Sequence, residues 1–461
     1  MRRLLPAFAL ALLAGCNAGP DYEPPELQAP VQFANANAPE YGDGVPDSSV
    51  WHSFSDPALS ALLNAALVNN TDVGVALARL DESRALSGLS IYTYFPTVTA
   101  QGNQVRATQS SVDPFGFPVD GVIERYSVSF DATWEIDLFG SLRRQLEQIE
   151  AIVESDAASL NQVRLSVMGD VAQSYFTLRG TSAQLQVQRE NVAAQARSVE
   201  ILEASLNAGR GTALDVAQAR SLERSLAAAI PNTEAAVARA EQRLLVLTSL
   251  SIDELRELLG AGGALPAIPA RIELGQPDEW LRRRPDVQTV ERQLAAASAA
   301  IGVEAANYWP RVDLVGSFGW NSQSLSDIGS AAAEVWSAGP AISWRFLDVG
   351  RVRQRVMAAE AQERQAFETF RGTVQLALEE MENSLANFRA ANRVVIALEQ
   401  ALAESTTASD LSSLRFDTGR SSYLEVLDAE RTRLGLVDQL AAARTNQATA
   451  LIAVYKALAA Y

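Results

Sequence analysis

Apolar residues between Phe139 and Gly209 recur at steps of three and four: Leu142, Leu146, Ile149, Val153, Leu160, Val163, Val167, Val171, Tyr175, Leu178, Leu185, Val192, Ala196, Val199, Leu202 and Leu206. No proline occurs between Pro118 and Pro231. The pattern predicts one α-helix over 142–206 whose apolar stripe packs on other helices. At ~1.5 Å per residue such a helix is roughly 100 Å long, so it needs partners along its whole length. Taken alone, the stretch fits a coiled-coil spacer equally well.

A second period surrounds it. Tyr126, Val128, Phe130, Ala132, Trp134, Ile136 and Leu138 alternate with Ser, Ser, Asp, Thr, Glu and Asp. A strict period of two puts one strand face in an apolar medium and the other in water. Val312, Leu314, Gly316, Phe318 and Trp320 repeat the pattern, as do Trp336, Ala338, Pro340, Ile342 and Trp344. The segment 96–103 is weaker, with Thr97, Thr99, Gln101 and Asn103 on its polar side. A soluble sandwich shows the same alternation. Strands of about ten residues with aromatic ends favour a transmembrane β-barrel. Pro340 then asks for a bulge or an edge. Four strands cannot close a barrel, which needs about eight. The barrel is therefore expected to be shared between chains. Two chains give about eight strands and a filled interior; three give about twelve and a lumen, which suits the polar face.

The long stretch occurs twice. Trp134-Glu-Ile-Asp-Leu-Phe-Gly140 returns as Trp344-Arg-Phe-Leu-Asp-Val-Gly350, and Gly209-Arg-Gly-Thr-Ala-Leu-Asp-Val216 returns as Gly419-Arg-Ser-Ser-Tyr-Leu-Glu-Val426, both at an offset of 210 residues. Upstream, Asp72-Val73 matches Asp286-Val287 and Tyr94-Phe-Pro96 matches Tyr308-Trp-Pro310, at an offset of 214. The chain is two tandem copies of one large motif, far longer than a solenoid repeat. The equal offset puts the turns at Gly209 and Gly419 at the same height, as a tube with a level rim requires.

The expected fold is mostly α with a membrane β part: long helical hairpins duplicated in tandem, and four strands per chain. The first repeat covers 56–248, with strands at about 94–138 and a hairpin over 141–248. A connector over 249–285 is broken by Gly260, Gly262, Gly263, Pro266, Pro269 and Pro277 and holds a short helix at 251–259. The second repeat covers 286–461, with strands at about 308–347 and a hairpin over 350–457. Residues 57–91 read as one amphipathic helix with Asp56-Pro57 at its start. The return path of the first copy reads as two stacked helices, 212–248 and 286–307. By the duplication, 421–457 stacks with 57–91.

Residues 1–15, a positive start followed by the apolar run Leu4 to Leu13 and small residues, read as a secretory signal. Leu13-Ala-Gly-Cys16 resembles a bacterial lipobox, which implies a lipid on Cys16, the one cysteine. Asn17 follows; by resemblance to lipoprotein sorting it favours the outer membrane. Residues 16–55 read as a lipid-anchored, extended tether rich in Pro, Ala, Asn and Gly.

Composition narrows the chemistry. The net charge of −17 argues against nucleic acid as a partner. One Cys and one His, His52, exclude an intrachain disulfide and leave no ligand set for zinc. Neither a nucleophile constellation nor a phosphate loop is present. The sequence therefore offers no enzyme and no cofactor beyond the covalent lipid on Cys16.

With these pieces the chain resembles the TolC-like outer-membrane factor family, in its lipoprotein branch for resistance-nodulation-division type efflux. The resemblance is carried by Cys16-Asn-Ala-Gly-Pro-Asp-Tyr-Glu-Pro24, Trp51-His-Ser-Phe-Ser-Asp-Pro57 with Leu59 and Leu62, and Arg284-Pro-Asp-Val287 with Glu291-Arg292. Ala300-Ile-Gly-Val303 before Tyr308-Trp-Pro310, and Gly419 before Tyr423-Leu-Glu-Val-Leu-Asp-Ala429, complete it. The resemblance implies a homotrimer with a twelve-stranded outer-membrane barrel over a twelve-helix periplasmic tunnel. It also implies a periplasmic adaptor and an inner-membrane pump as partners.

By motif position the family's acidic aperture residues fall on Asp215 in the first copy and on Glu425 and Asp428 in the second. Carboxylates gathered by three-fold symmetry repel, so neighbouring groups must hold a closed state. The alternative is that Asp215 and Glu425 only cap the first turns of the returning helices. Phe416 and Asp417 form a second candidate for the gate. Phe416 stands where a tyrosine is common in the family, and Ser421 where relatives carry a charge. Arg210, Arg415 and Arg420 are candidate substitutes for the missing gate bonds. Three functions compete: an efflux exit duct, a duct for protein secretion, and a structural trimeric stalk anchored by a shared barrel. The strand pairs lie inside the repeats, between an arriving and a leaving helix, and that order favours a duct.

Overall fold

A computed structural model describes residues 17–27, 29–36, 38–42, 44, 54–108, 122–260, 265–269 and 271–459. The signal segment, Cys16, and Trp51 to Ser53 with His52 lie outside the described residues. The chain divides into two units. One contains Met1–Pro25, Arg79–Ala157 and Thr289–Arg371; the other contains Glu26–Ala78, Ala158–Gln288 and Gly372–Tyr461. Helices α3 (Ser141–Asn207) and α9 (Val349–Asp417) contribute residues to both.

The first unit holds four antiparallel strands, β2 (Thr97–Thr108), β3 (Val122–Ile136), β5 (Arg311–Ser322) and β6 (Glu334–Ser343), in the order β2-β3-β5-β6. Register aligns the apolar alternates on one face: Phe130 opposes Phe318, which opposes Trp336, and Trp134 opposes Leu314, which opposes Pro340. The other face is polar. The Asp131 carboxylate accepts hydrogen bonds from Ser129 Oγ at 2.9 Å and Ser317 Oγ at 2.7 Å, and Arg311 meets Glu135 at 3.1 Å. Pro340 lies in the outer strand β6, where the sheet tolerates a residue without an N–H. The duplication is visible at the strand ends. Trp134 Nε1 donates to the Tyr94 carbonyl at 2.8 Å, and Trp344 Nε1 donates to the Tyr308 carbonyl at 3.2 Å.

The N-terminal segment is strapped to this unit. Ala18 N–H donates to Phe139 O at 3.2 Å. Arg144, at the start of α3, is buried; it donates to Ala18 O at 3.0 Å and pairs with Asp21 at 2.6 Å and Glu147 at 2.7 Å. Gly19 has φ +81°, and a Cβ there would lie 2.5 Å from Gly302 Cα. Gly302 belongs to α8 (Pro285–Ala306). The Tyr22 hydroxyl donates to the Glu291 carboxylate, which Arg292 also holds, and Arg292 reaches Glu154 at 2.9 Å. Three stretches that carry the family resemblance thus meet in space.

The expected helix over 57–91 is two helices, α1 (Pro57–Asn69) in the second unit and α2 (Thr71–Ile91), which contributes residues to both units, with a bend of 44° at the break. Asn70 makes the break. Its side chain donates to Leu247 O at 2.9 Å and accepts from the N–H groups of Asp72 and Val73, capping α2. The expected helix over 212–248 is also two, α4 (Ala213–Ala227) and α5 (Ile230–Thr248). Pro231 offers no N–H to Ala227 O and its ring crowds that carbonyl, so α4 stops there. The second copy lacks this proline, and its return helix α10 (Tyr423–Ala457) is unbroken.

The connector contains α6 (Ile252–Leu259), closed by a Ser251–Glu254 capping box, and α7 (Pro277–Arg283). Its short strand β4 (Ile272–Glu273) pairs in parallel with β1 (Tyr41–Gly42) of the tether. Phe54 packs at a tilt against Phe176 and edge-on against Tyr455, with ring centres 5.0 and 5.9 Å away. Asp56 caps α1 and accepts from the Tyr175 hydroxyl at 2.6 Å. Burial, with that bond, pushes the Tyr175 hydroxyl up to about 12. Arg284 is buried against Asp286, Glu380 and the Ala457 carbonyl.

Gly19→Ala is expected to release the strap. A left-handed non-glycine residue costs about 1–2 kcal/mol, and its Cβ collides with backbone that cannot move aside. Limited proteolysis should show faster cleavage within residues 17–27 in the variant, with the sheet unit still resistant.

Candidate functional site

Helix α3 ends by the same device as α9. Gly209 has φ +74° and Gly419 has φ +68°. In the first turn Gly209 N–H donates to Leu206 O and Arg210 N–H to Ser205 O, both at 2.9 Å. In the second, Gly419 N–H donates to Phe416 O and Arg420 N–H to Arg415 O, both at 2.8 Å. This is a Schellman cap, and its left-handed residue is why glycine stands at both positions. The chain reverses within five residues in each copy, between Asn207 and Ala213 and between Asp417 and Tyr423.

The two turns share one core. Val199, Leu202, Val216, Ala219 and Leu222 of the first hairpin pack with Tyr423, Val426 and Leu427 of the second, with Leu206 and Phe416 against them. Phe416 meets Tyr423 edge-on with ring centres 5.5 Å apart. Burial, set against a hydrogen bond with Gln195, raises the Tyr423 hydroxyl above its ordinary range. Gln195 also donates to Ala219 O at 3.2 Å, tying the second tip to the first.

The sequence-predicted residues occupy different settings. Asp215 belongs to a capping box: its carboxylate accepts the Thr212 N–H at 3.1 Å and the Thr212 hydroxyl at 2.6 Å, while Thr212 Oγ1 accepts the Asp215 N–H. Glu425, at the matching position, has no such cap, because Ser422 makes no side-chain bond to the helix. Glu425 instead meets Arg415 across the turn at 3.4 Å. Both side chains are about half exposed, so the pair is worth at most about 1 kcal/mol in one chain.

Asp428 and Asp417 are exposed and have no side-chain partner among the described residues. The Ser421 hydroxyl oxygen is buried and has no hydrogen-bond partner among them. Arg210 and Arg420 are exposed on the two turns. Leu214 and Leu424, equivalent by the duplication, are 64% and 55% exposed. Each tip thus presents one exposed leucine at the same position of its returning helix.

Two groups escape the sequence reading. Glu430 accepts from the Ser409 hydroxyl and pairs with Arg433 at 2.8 Å, bracing α9 against α10. Arg220 and Glu203 do the same for the first hairpin, at 2.5 Å. Glu430 and Arg220 stand at matching positions of the two copies, with opposite charge. That match is the signal that marks them.

Comparisons with known proteins agree across the chain. The family model described as outer membrane efflux protein matches residues 62–249 and 276–460. The solvent efflux pump outer membrane protein SrpC of Pseudomonas putida is 32% identical over 98% of this chain and 97% of its own length. Nodulation protein T of Rhizobium leguminosarum bv. trifolii is 29% identical over 94% of this chain and 91% of its own. Among solved structures, the outer-membrane channel OprN superposes with a TM-score of 0.89 at 34% identity, covering 97% of this chain and 99% of that one.

The asymmetry between the tips gives a paired test. Thr212→Ala removes a cap worth about 1 kcal/mol and should raise hydrogen exchange at the amides of residues 213–216 severalfold. Ser422→Ala removes no cap and should leave exchange at residues 423–426 unchanged.

Proposed function

The chain belongs to the outer membrane efflux protein family, and from that premise we propose how its parts make an outer-membrane exit duct. One observation carries the reading: a four-stranded sheet with one apolar and one polar face, whose outer strands β2 and β6 each keep one edge without a strand partner among the described residues. Backbone groups cannot stay unpaired in lipid. Three copies joined β6 to β2 close about twelve strands around a lumen. The apolar face meets hydrocarbon and the face with Asp131, Ser129 and Ser317 lines the water path.

The hairpin tips form the periplasmic aperture. Asp428 and Asp417, gathered by symmetry, repel one another. Within each chain Arg415–Glu425 and the Phe416–Tyr423 packing hold the closed arrangement, while Asp215 braces the first turn through its cap. Opening moves α10 away from the end of α9 and breaks the Arg415–Glu425 pair. Leu214 and Leu424, flanked by Arg210 and Arg420, give three chains six similar knobs for a periplasmic adaptor, which links the duct to an inner-membrane pump. Efflux is favoured over protein secretion because the family is that of outer membrane efflux proteins and one relative, SrpC of P. putida, is the outer membrane protein of a solvent efflux pump.

A lipid on Cys16 completes the assembly. The strap places Asn17 and Ala18 beside Phe139 and Gly140, just past the end of β3. An acyl chain leaving from there enters the membrane at the level of the strand ends.

Single-channel conductance in planar bilayers tests the aperture. A D215A/E425A/D428A triple variant should conduct severalfold more than the wild type, and E425A, which breaks the Arg415 pair, more than D215A alone. Equal conductance in all forms would move the gate to Phe416 and Asp417. Mass spectrometry of the mature protein should find a lipid-modified cysteine at its N-terminus; an unmodified Cys16 overturns the anchor. Detergent-solubilised protein with the mass of one or two chains overturns the trimer.

A further inference from the structure

The first unit contains a cavity of 420 Å³ where β5 begins, β6 ends and α9 opens. Arg311, Asp313, Arg345, Asp348, Arg351 and Arg355 line it. Two of these arginines are engaged: Arg311 meets Asp313 at 3.0 Å and Glu135 at 3.1 Å, and Arg351 meets Asp348 at 3.8 Å. Arg345 and Arg355 are exposed and have no carboxylate partner among the described residues. Four guanidiniums thus face three carboxylates, in a chain whose net charge is −17. The N-terminus of α9 adds its own positive end. Trp309 also lines the cavity; one ring face stacks on Phe139 at 5.3 Å, and the side chain is 55% exposed.

The fold does not need this charge. At the offsets of the duplication, Arg311, Arg345, Arg351 and Arg355 correspond to Thr97, Glu135, Ser141 and Gln145. The first copy builds the same strand-to-helix junction, with the same indole-to-carbonyl bond, and no arginine at any of these positions. The cluster was therefore acquired, or kept, by the second copy alone. Strand register assigns it a side: Arg311, Asp313 and Ser343 share the polar face with Glu135 and Ser317.

We propose that this cavity is a binding site for small oxyanions of phosphate type, with a preference for those carrying an aromatic or apolar body. The Arg345 and Arg355 guanidiniums offer paired N–H donors that match phosphate or carboxylate oxygens, and the free part of Trp309 covers the apolar body. The placement rests on the reading that the polar face lines the duct. Three copies then set three such sites around the entrance to the barrel, so an anionic solute meets fixed positive charge there.

The test is isothermal titration calorimetry on detergent-solubilised full-length trimers, which does not require the tips to open. The probes are phenyl phosphate and inorganic phosphate, and the variant is R345Q/R355Q, which keeps side-chain length at exposed positions. Wild type should bind phenyl phosphate more tightly than inorganic phosphate, and the variant should bind both at least tenfold more weakly. Trp309→Ala should abolish the preference between the two probes. No binding by wild type, or equal binding by wild type and R345Q/R355Q, overturns the site. Native mass spectrometry covers the other source of phosphate. Phospholipid retained by wild type and lost by the variant, with neither probe bound, places the cavity on the lipid side and overturns both the solute site and the lumen reading.

Discussion

Every unpaired backbone N–H or C=O in hydrocarbon costs several kcal/mol, and this chain presents two whole strand edges. Among the described residues, strands β2 and β6 are paired on one side only. The apolar face between them, from Phe130 through Phe318 to Trp336, suits lipid and not water. A single copy in a membrane satisfies neither demand. In the proposed duct, association is thus a requirement of the backbone before it is a property of the helices. The strand-end indoles bonded to Tyr94 and Tyr308 carbonyls fix the junction in both copies to one geometry.

Duplication supplied that geometry twice, and divergence then specialised each half. The two tips keep the same glycine cap, the same exposed leucine and the same arginine after the glycine. They part at the acidic position: Asp215 is absorbed by its helix cap, while Glu425 is left to face Arg415. The return helices part as well, since Pro231 breaks one and nothing breaks the other. The two hairpins of one chain are therefore mechanically unequal, with a joint near residue 228 in only one.

Much of this was legible in the sequence, for physical reasons that can be named. The helix expected over 142–206 is Ser141–Asn207, because a 3.6-residue stripe without proline admits few other structures and Gly209 marks its stop. The strands were legible because one face must be apolar at every second residue; their ends were not, as β2 runs on to Thr108 past the clear pattern. Asn70 was missed because its bond to Leu247 spans 177 residues. Pro231 stood in view, but the apolar stripe continues through it and hid the break. At the tips, Gly209, Gly419 and Asp215 could be placed from local pattern alone. The Gln195 bond to Tyr423 and the Ser409 bond to Glu430 join different helices, which no local pattern encodes.

The strap under Arg144 bears on the order of assembly. Residues 18–22 are held by Arg144, Gly302 and Glu291, and so by parts of both copies. Residues 18–22 cannot dock until residue 302 is in place. Likewise β3 waits for β5 to cover its second edge. Contacts this distant in sequence form late and slowly. A chain delivered from its N-terminus therefore spends its maturation with one half of the sheet unit open. Closing the strap becomes a timer that reads whether the second copy has arrived.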